Sequence, residues 1–487
     1  MLTQLEHPRF DAGDVVPPCY ERYRPLVRDA VAFFVERLSP RRAADAMAAQ
    51  LALPVDAPAG LRLVTLMHQC PALHKLGQVL ARHPQLDAAF RGQLQQLESR
   101  EPATPLAEVE PVIRRELGDA IASYRITLGD APLAEASVAV VVPFTWVDPD
   151  DADQLQREGV FKVLRPGVAA RMTEDLAILA ALADHLDATF AVRGLPPLPY
   201  RRTLEDVAAL LRNEIDLRIE QRHLAAAQRI ARWHAGVVVP RLCPFQSPHV
   251  TAMQRVHGVC VTDAADHRRS LAARIARALL AEVVFNDDDL TLFHADPHAG
   301  NLFATDDGDL AVLDWSLTGW LTRDDRAAML QLTLAAAVGD PEGTAAGLAA
   351  LAGADHEPAA LSDVVAAYLA SRGDRPLQLP SVMDVIRLVD HAVQRGISFP
   401  ARFLLLRKSV FTLEGVVADL TPDTPLDHWL TAAALQQVLV SEAAIRLCLP
   451  PTSRRTPSGL SLLDLGRLAA GWSCLAFGQL CCPSRAA

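Results

Sequence analysis

Lysine is nearly absent from this chain: only Lys75, Lys162 and Lys408 stand among its 47 basic residues. Arginine is the ordinary surface cation here, so a retained lysine marks a place where a compact ammonium is preferred over a planar fork. Aromatic residues are also scarce, at 5%, while half of the residues are hydrophobic and alanine and leucine dominate, which points to a mostly helical protein. The eight cysteines form no CxxC pair and no regular framework, and Cys481 and Cys482 read as tail residues. That excludes a disulfide scaffold and fits reduced thiols in a cytosol. No Lys/Arg run accumulates and the net charge is -11, which excludes nucleic acid as a partner. The start, MLTQLEHPRFDAGD, has neither a basic nor an apolar leader region, so the expected location is cytoplasmic. No apolar run reaches the roughly 20 residues of a spanning helix. LAAGWSCLAFGQLCC (468–482) is uncharged but shorter, and reads as a packed or membrane-touching helix at the inner face of the membrane.

The length implies two to four cores, at roughly 100 to 200 residues each. Helix-period segments occupy 23–38, 41–53 and 61–70, and β-branched runs at 126–147 and 159–167 then replace alanine. Two long helical stretches follow, 168–190 and 203–233, and the apolar segment 250–263 reads as a connection between lobes. Beyond Arg268 nearly everything reads helical except 293–316. The expected organisation is an N-terminal helical extension (1–115), a lobe with a small sheet (116–258), a larger helical lobe (259–450) and an apolar tail (451–487).

The exception, FHADPHAGNLFATDDGDLAVLDWS, carries the chemistry. His294 and His298 flank Asp296 at zinc-like spacing, but Pro297 and Gly300 oppose a regular helix and no further His/Cys cluster completes a set. Asp296, Asn301 and Asp314 fit phosphoryl transfer better: an aspartate beside the nucleophile, then an amide oxygen and a carboxylate for magnesium, which demands oxygen ligands. LFAT (302–305) and LAVL (310–313) read as strands joined by a turn at Asp307-Gly308, which sets Asn301 and Asp314 at neighbouring ends. The competing reading is an Asp/Asn/Gly-rich surface loop with solvated carboxylates.

Phosphate chemistry also needs a cation. Lys162 sits among β-formers in VFKVLRPG. Val207, Leu210, Leu211 and Glu214 share one register of a helical stripe, so Glu214 faces inward and needs Lys162 or Lys75. Glu220 falls elsewhere on an uninterrupted helix and reads as a second contact or a solvated face. No GxGxxG precedes Lys162; PLAEAS (132–137) stands there instead.

Together, HKLGQ (74–78), PLAEAS, NEID with Glu220, and FHADPHAGN with LDWS resemble the signatures of the UbiB/AarF family of atypical protein-kinase-like ATPases. TAMQRVHG (251–258) is similar to that family's hinge and TLEGVVADLTPD (412–423) to a late helix, so the resemblance spans roughly 60–425. It implies an α+β, two-lobed, mostly helical kinase-like fold, with ATP or ADP and Mg2+ as cofactors. It implies Asp296 as the catalytic aspartate, Asn301 and Asp314 as metal ligands, and Lys162 paired with Glu214 or Glu220. Pro132, Leu133, Ala134, Glu135, Ala136, Ser137, Val138 and Ala139 would cover the nucleotide, with Gln254 at the hinge. Asp216 belongs to the ExD region, while Lys75 and Gln78 would occupy the place of a protein substrate, which disfavours protein phosphorylation. The implied acceptor is a small molecule or an isoprenoid lipid, with a membrane surface and biosynthetic partners, as in ubiquinone biosynthesis.

Several positions depart from the pattern: Glu135 inside the alanine-rich loop, Val140 for glutamine, Gln254 for glutamate, Ala299 for proline, and the triplet Asp314-Trp315-Ser316. Glu135 is expected to place negative charge near the phosphates and lower nucleotide affinity. Two other readings compete. One is a small-molecule phosphotransferase of the aminoglycoside/choline-kinase type, which the KxGQ element opposes. The other is a non-catalytic nucleotide-binding scaffold.

Overall fold

A computed structural model describes residues 11–80, 86–95, 97, 104–189, 200–231, 235–285, 287–352, 358–372, 382–456, 458, 460–467 and 469–470. Two compact units are present, Met1–Arg222 with Arg241–Arg255, and His223–Pro240 with Val256–Ala487.

The first unit begins with the helices Arg24–Glu36, Pro40–Leu51, Ala59–Gln69 and Pro71–Leu80. Two of them start on proline, whose fixed φ and missing N–H suit the first helical position. Phe34, Val64, Met67 and Leu94 pack with Met172 and Leu179 of the helix Val168–Thr189 in one core. The strands β1 (Thr127–Leu128), β2 (Ala134–Glu135), β3 (Ala139–Val147) and β4 (Gln156–Leu164) follow. β5 (Val237–Val238) lies in the second unit and β6 (Val250–Gln254) returns to this sheet. The order is β1-β3-β4-β6 with β2 on β3, antiparallel throughout. Phe144 and Phe161 stack at 3.8 Å within its buried face. The Phe144 ring lies across Gly159, its register partner, where a Cβ would collide with it.

The stretch expected as one helix over 203–233 is two, Tyr200–Asn213 and Leu217–Ala231. Asp216 makes the break. Its carboxylate accepts the Arg218 N–H at 3.1 Å and the Arg218 guanidinium at 2.8–3.2 Å, so it caps a new helix in competition with continuing the old one.

The second unit contains β7 (Gly258–Cys260), β8 (Leu290–His294), β9 (Leu302–Thr305), β10 (Leu310–Val312) and β11 (Thr318–Thr322). The expected hairpin is present: β9 and β10 pair antiparallel with Leu310 opposite Ala304, and Gly308 takes φ +78° in the turn. β5-β10-β9-β7 form one sheet and β11-β8 another. The β8–β11 ladder corrects the expectation of helix beyond Arg268. Gly319 interrupts the apolar alternation of β11 because the buried Phe293 ring lies directly over it. Helices Arg323–Val338, Pro341–Leu351, Pro358–Arg372, Val382–Gln394 and Ala401–Leu420 build the remaining core around Leu332, Leu348, Val364, Leu388 and Leu406.

Nearly all of the apolar tail segment 468–482 lies outside the described residues. The chain before it is held: Arg446 donates to the Leu460 carbonyl at 3.1 Å and to Ser458 Oγ at 2.7 Å. Among the described residues, no helix is long and apolar enough to cross a membrane.

Candidate functional site

Two lysine–glutamate pairs stand in the first unit. Lys162, near the C-terminal end of β4, is buried between register partners Val141 and Thr251. Its Nζ lies 2.8 Å from Glu220 Oε1, and the Glu220 side chain is 4% exposed. Lys75 Nζ lies 2.9 Å from Glu214 Oε2. The sequence left Glu214 with either lysine; the structure gives it Lys75 and gives Lys162 to Glu220. The reason is the break at Asp216. Counted from that cap, Leu217, Glu220 and Leu224 are three and four residues apart, all buried, so Glu220 rather than Glu214 carries the inward register of its helix. Asp216 itself is spent on Arg218, whose hydrogen bonds hold its carboxyl below the usual range.

The HKLGQ segment is a packed helix face. His74 Nε2 and Gln78 Nε2, four residues apart, both reach the Leu97 carbonyl, at 3.0 and 2.9 Å. A Cβ on Gly77 would stand 2.5 Å from the Leu97 side chain and 2.8 Å from the Met67 sulfur, which explains the glycine. Burial pushes the His74 imidazole down to about 4. With the folded value depressed, the unfolded chain binds more protons below pH 6.5, so the contribution of His74 is intact at pH 7 and is lost as pH falls from 6.5 to about 4. We expect urea unfolding to show a loss of roughly 3 kcal/mol across that window, reduced in His74→Gln. An equal loss in the variant would contradict this.

Residues 132–139 form a short hairpin of β2 with the start of β3. Ala134 and Glu135 pair with Val141 and Val140, Leu133 N–H donates to Val141 at 2.8 Å, and Ala136 N–H donates to Ala139 at 2.8 Å. Ser137, Val138 and Ala139 are buried, and Leu133 is exposed. Glu135 does not stand as a loose negative charge: its carboxylate accepts the Thr104 N–H at 2.8 Å and lies 3.3 Å from Arg165 Nε. Its charge stands beside a guanidinium rather than alone. Gln254 ends β6, its N–H on the Arg241 carbonyl at 2.7 Å.

The second unit gathers Asp296, Asn301 and Asp314. Leu313 N–H donates to the Asn301 carbonyl at 2.8 Å, continuing the β9–β10 ladder, so Asp314 follows directly beside Asn301. Asn301 Nδ2 donates to the Asp296 carbonyl at 3.1 Å. The amide nitrogen is thereby committed, and the remaining polar atom of that side chain is an oxygen. Asp314 takes φ +48°, a left-handed conformation that aspartate tolerates better than most residues, and its Oδ1 accepts the Ser316 N–H at 3.2 Å. Such strain is typical of sites where a side chain must be aimed.

His294 is scaffold. His294 is buried; its Nδ1 accepts the Asp296 N–H at 3.1 Å and its Nε2 donates to the Leu313 carbonyl at 3.0 Å, so it links the two carboxylate-bearing segments as a neutral ring. Burial lowers its pKa, which favours the neutral ring. The Trp315 ring stands edge-on to it at 4.9 Å. Among the described residues, no three His, Cys, Asp or Glu side chains cluster for a metal, and both ring nitrogens of His294 are engaged by the backbone.

Two contributors were not assigned a role from the sequence. Lys408 Nζ lies 3.1 Å from Asp296 Oδ1, and the adjacent Ser409 Oγ donates to the His294 carbonyl at 2.8 Å. The scarcity of lysine was the available signal: all three lysines pair with carboxylates the motifs had singled out or adjoined.

An antiparallel sheet with a buried lysine paired to a helical glutamate, and a helical unit carrying an Asp–Asn–Asp hairpin, define a kinase-like protein. The family described as ABC1 atypical kinase-like domain matches residues 96–346, just over half of the chain. The chain belongs to that family. It is 26% identical over 437 residues to "Probable protein kinase UbiB" of Xanthomonas oryzae pv. oryzae, covering 85% of this chain and 76% of that one. The Xanthomonas campestris pv. campestris protein of the same name is 26% identical over 462 residues, covering 90% and 78%. An uncharacterised Mycobacterium tuberculosis protein is 29% identical over 297 residues, 58% of each chain. At these identities the chain is a divergent member. The solved complex of Rv3197 with erythromycin, from Mycobacterium tuberculosis, shares the fold with TM-score 0.50 and 18% identity, over 70% of this chain and 84% of that one.

Proposed function

We propose that the chain binds Mg-ATP and transfers its γ-phosphoryl group to a small-molecule or isoprenoid-lipid acceptor, or to water. The observation that carries this reading is the neighbouring pair Asn301 and Asp314, with the Asn301 nitrogen turned onto the Asp296 carbonyl. An amide oxygen beside a carboxylate is a donor set suited to magnesium, which takes its other ligands from phosphates and water. Bound there, the ion would neutralise phosphate charge. Lys162, oriented by Glu220, would hold the nucleotide phosphates. Asp296 would orient the acceptor hydroxyl: its oxygen bonds to the γ-phosphorus, the bond from that phosphorus to the ADP oxygen breaks, and the hydroxyl proton passes to the carboxylate.

The acceptor class is taken from the resemblance of the HKLGQ and PLAEAS segments to the UbiB/AarF signatures, with Lys75 engaged by Glu214 and Gln78 by the Leu97 carbonyl. The exposed side chains of Leu439, Val440 and Leu447 support a peripheral membrane contact; the cytoplasmic location and the biosynthetic partners of quinone or related lipid pathways rest on the family resemblance alone.

The test is ATP turnover with and without magnesium, across a panel of prenylated phenols in detergent. We expect magnesium-dependent turnover that rises with a prenylated phenol. Asp314→Asn should reduce it about 10²-fold or more, because asparagine accepts the left-handed backbone and only the charge is lost. Turnover that is absent, or unchanged in Asp314→Asn, would contradict the reading.

A further inference from the structure

Lys408 is the one lysine that no motif accounts for. It lies on the helix Ala401–Leu420, and the next residue, Ser409, is fully buried with its hydroxyl on the His294 carbonyl at 2.8 Å. Consecutive residues of one helix thus grip the loop at two points, the backbone of His294 and the carboxylate of Asp296, where the Lys408–Asp296 separation is 3.1 Å. The buried serine fixes the helix in register against the loop, and that register brings the ammonium to Asp296. In a chain of 47 basic residues with three lysines, this position has kept an ammonium. A guanidinium fork tends to engage a carboxylate bidentately, whereas an ammonium meets it as a compact point charge, here 3.1 Å from Oδ1.

We propose that Lys408 is a positioning residue for the reaction: it holds the Asp296 carboxylate in the rotamer that meets the acceptor, with Ser409 as the clamp that sets the helix. The proposal rests on the phosphotransferase reading of Asp296. Misplacement of a reacting group by about 1 Å costs on the order of 10²-fold in rate, so losing the ammonium should act on turnover and leave nucleotide binding alone.

The test uses the full chain with two independent readouts. In steady-state ATP turnover with magnesium, Lys408→Met should lower kcat by about tenfold to 10²-fold with KM for ATP unchanged. Lys408→Arg, which keeps a cation, should recover part of that loss. A Met variant with parental kcat, or Met and Arg variants equally impaired, overturns the proposal. The second readout needs no turnover. Lysine-selective 13C labelling gives three side-chain environments, and Asp296→Asn should shift the Lys408 signal, identified by its loss in Lys408→Arg, while Lys75 and Lys162 stay in place. A Lys408 signal indifferent to Asp296→Asn overturns the proposal on its own. Coupled lysine signals in a chain without ATP turnover would instead overturn the phosphotransferase reading.

Discussion

Asp296→Asn is expected to lower magnesium-dependent ATP turnover by about 10² to 10⁴-fold while nucleotide binding stays measurable, the usual weight of a positioned acid–base group. The substitution keeps the shape of the side chain and the backbone contacts around it: the Asp296 N–H on His294 Nδ1, the Asp296 carbonyl taking Asn301 Nδ2, and the same carbonyl taking the His298 N–H. What it removes is the charge that faces Lys408 and the capacity to accept a proton. That pair is about a quarter to a third exposed, so its loss should cost little stability. Thermal unfolding close to the parent's, with turnover gone, is the expected combination. Turnover near the parental rate in Asp296→Asn would contradict a chemical role for Asp296, whereas a parent chain that binds nucleotide without turnover would favour the non-catalytic scaffold.

Lys162→Met should be the most damaging single change to both stability and nucleotide binding. It leaves the Glu220 carboxylate buried, 4% exposed, with its 2.8 Å ammonium partner gone. Removing one member of a buried pair typically costs about 3 to 5 kcal/mol, unless the survivor takes up a proton. Replacing both members with apolar residues of similar volume avoids the stranded charge, so Lys162→Met with Glu220→Leu should recover most of the stability. ATP binding should not recover, since the cation proposed to hold the phosphates is still absent. Chemical denaturation and nucleotide titration of the parent, both single variants and the double variant separate the two effects. Recovery of ATP affinity in the double variant would contradict a phosphate-binding role for Lys162.

The legible parts of the sequence were those governed by local rules. The Asp307-Gly308 turn between two short apolar strands gave the hairpin, and with it the adjacency of Asn301 and Asp314. Lys162 among β-formers gave a strand lysine. The partner of Lys162 was less legible because it depended on one helix boundary. Read as a continuous helix, 203–233 puts Glu214 inward; broken at Asp216, it puts Glu220 there. An aspartate two residues before Arg218 was a cap signal that the apolar periodicity overrode. The β8–β11 ladder was hidden for a different reason: Gly319 and the Phe293 ring above it are a cross-strand arrangement, invisible to either strand alone. The same holds for Lys408 and Ser409, which meet Asp296 and His294 from more than 100 residues away. Lysine scarcity flagged the residue but not its partner.

The most direct measurement is a calorimetric titration of ATP into the full chain, once with magnesium and once with a chelator, alongside Lys162→Met. The account predicts saturable binding that weakens sharply without magnesium and is lost in Lys162→Met. Binding indifferent to both the metal and Lys162, or no binding under any condition, would contradict it.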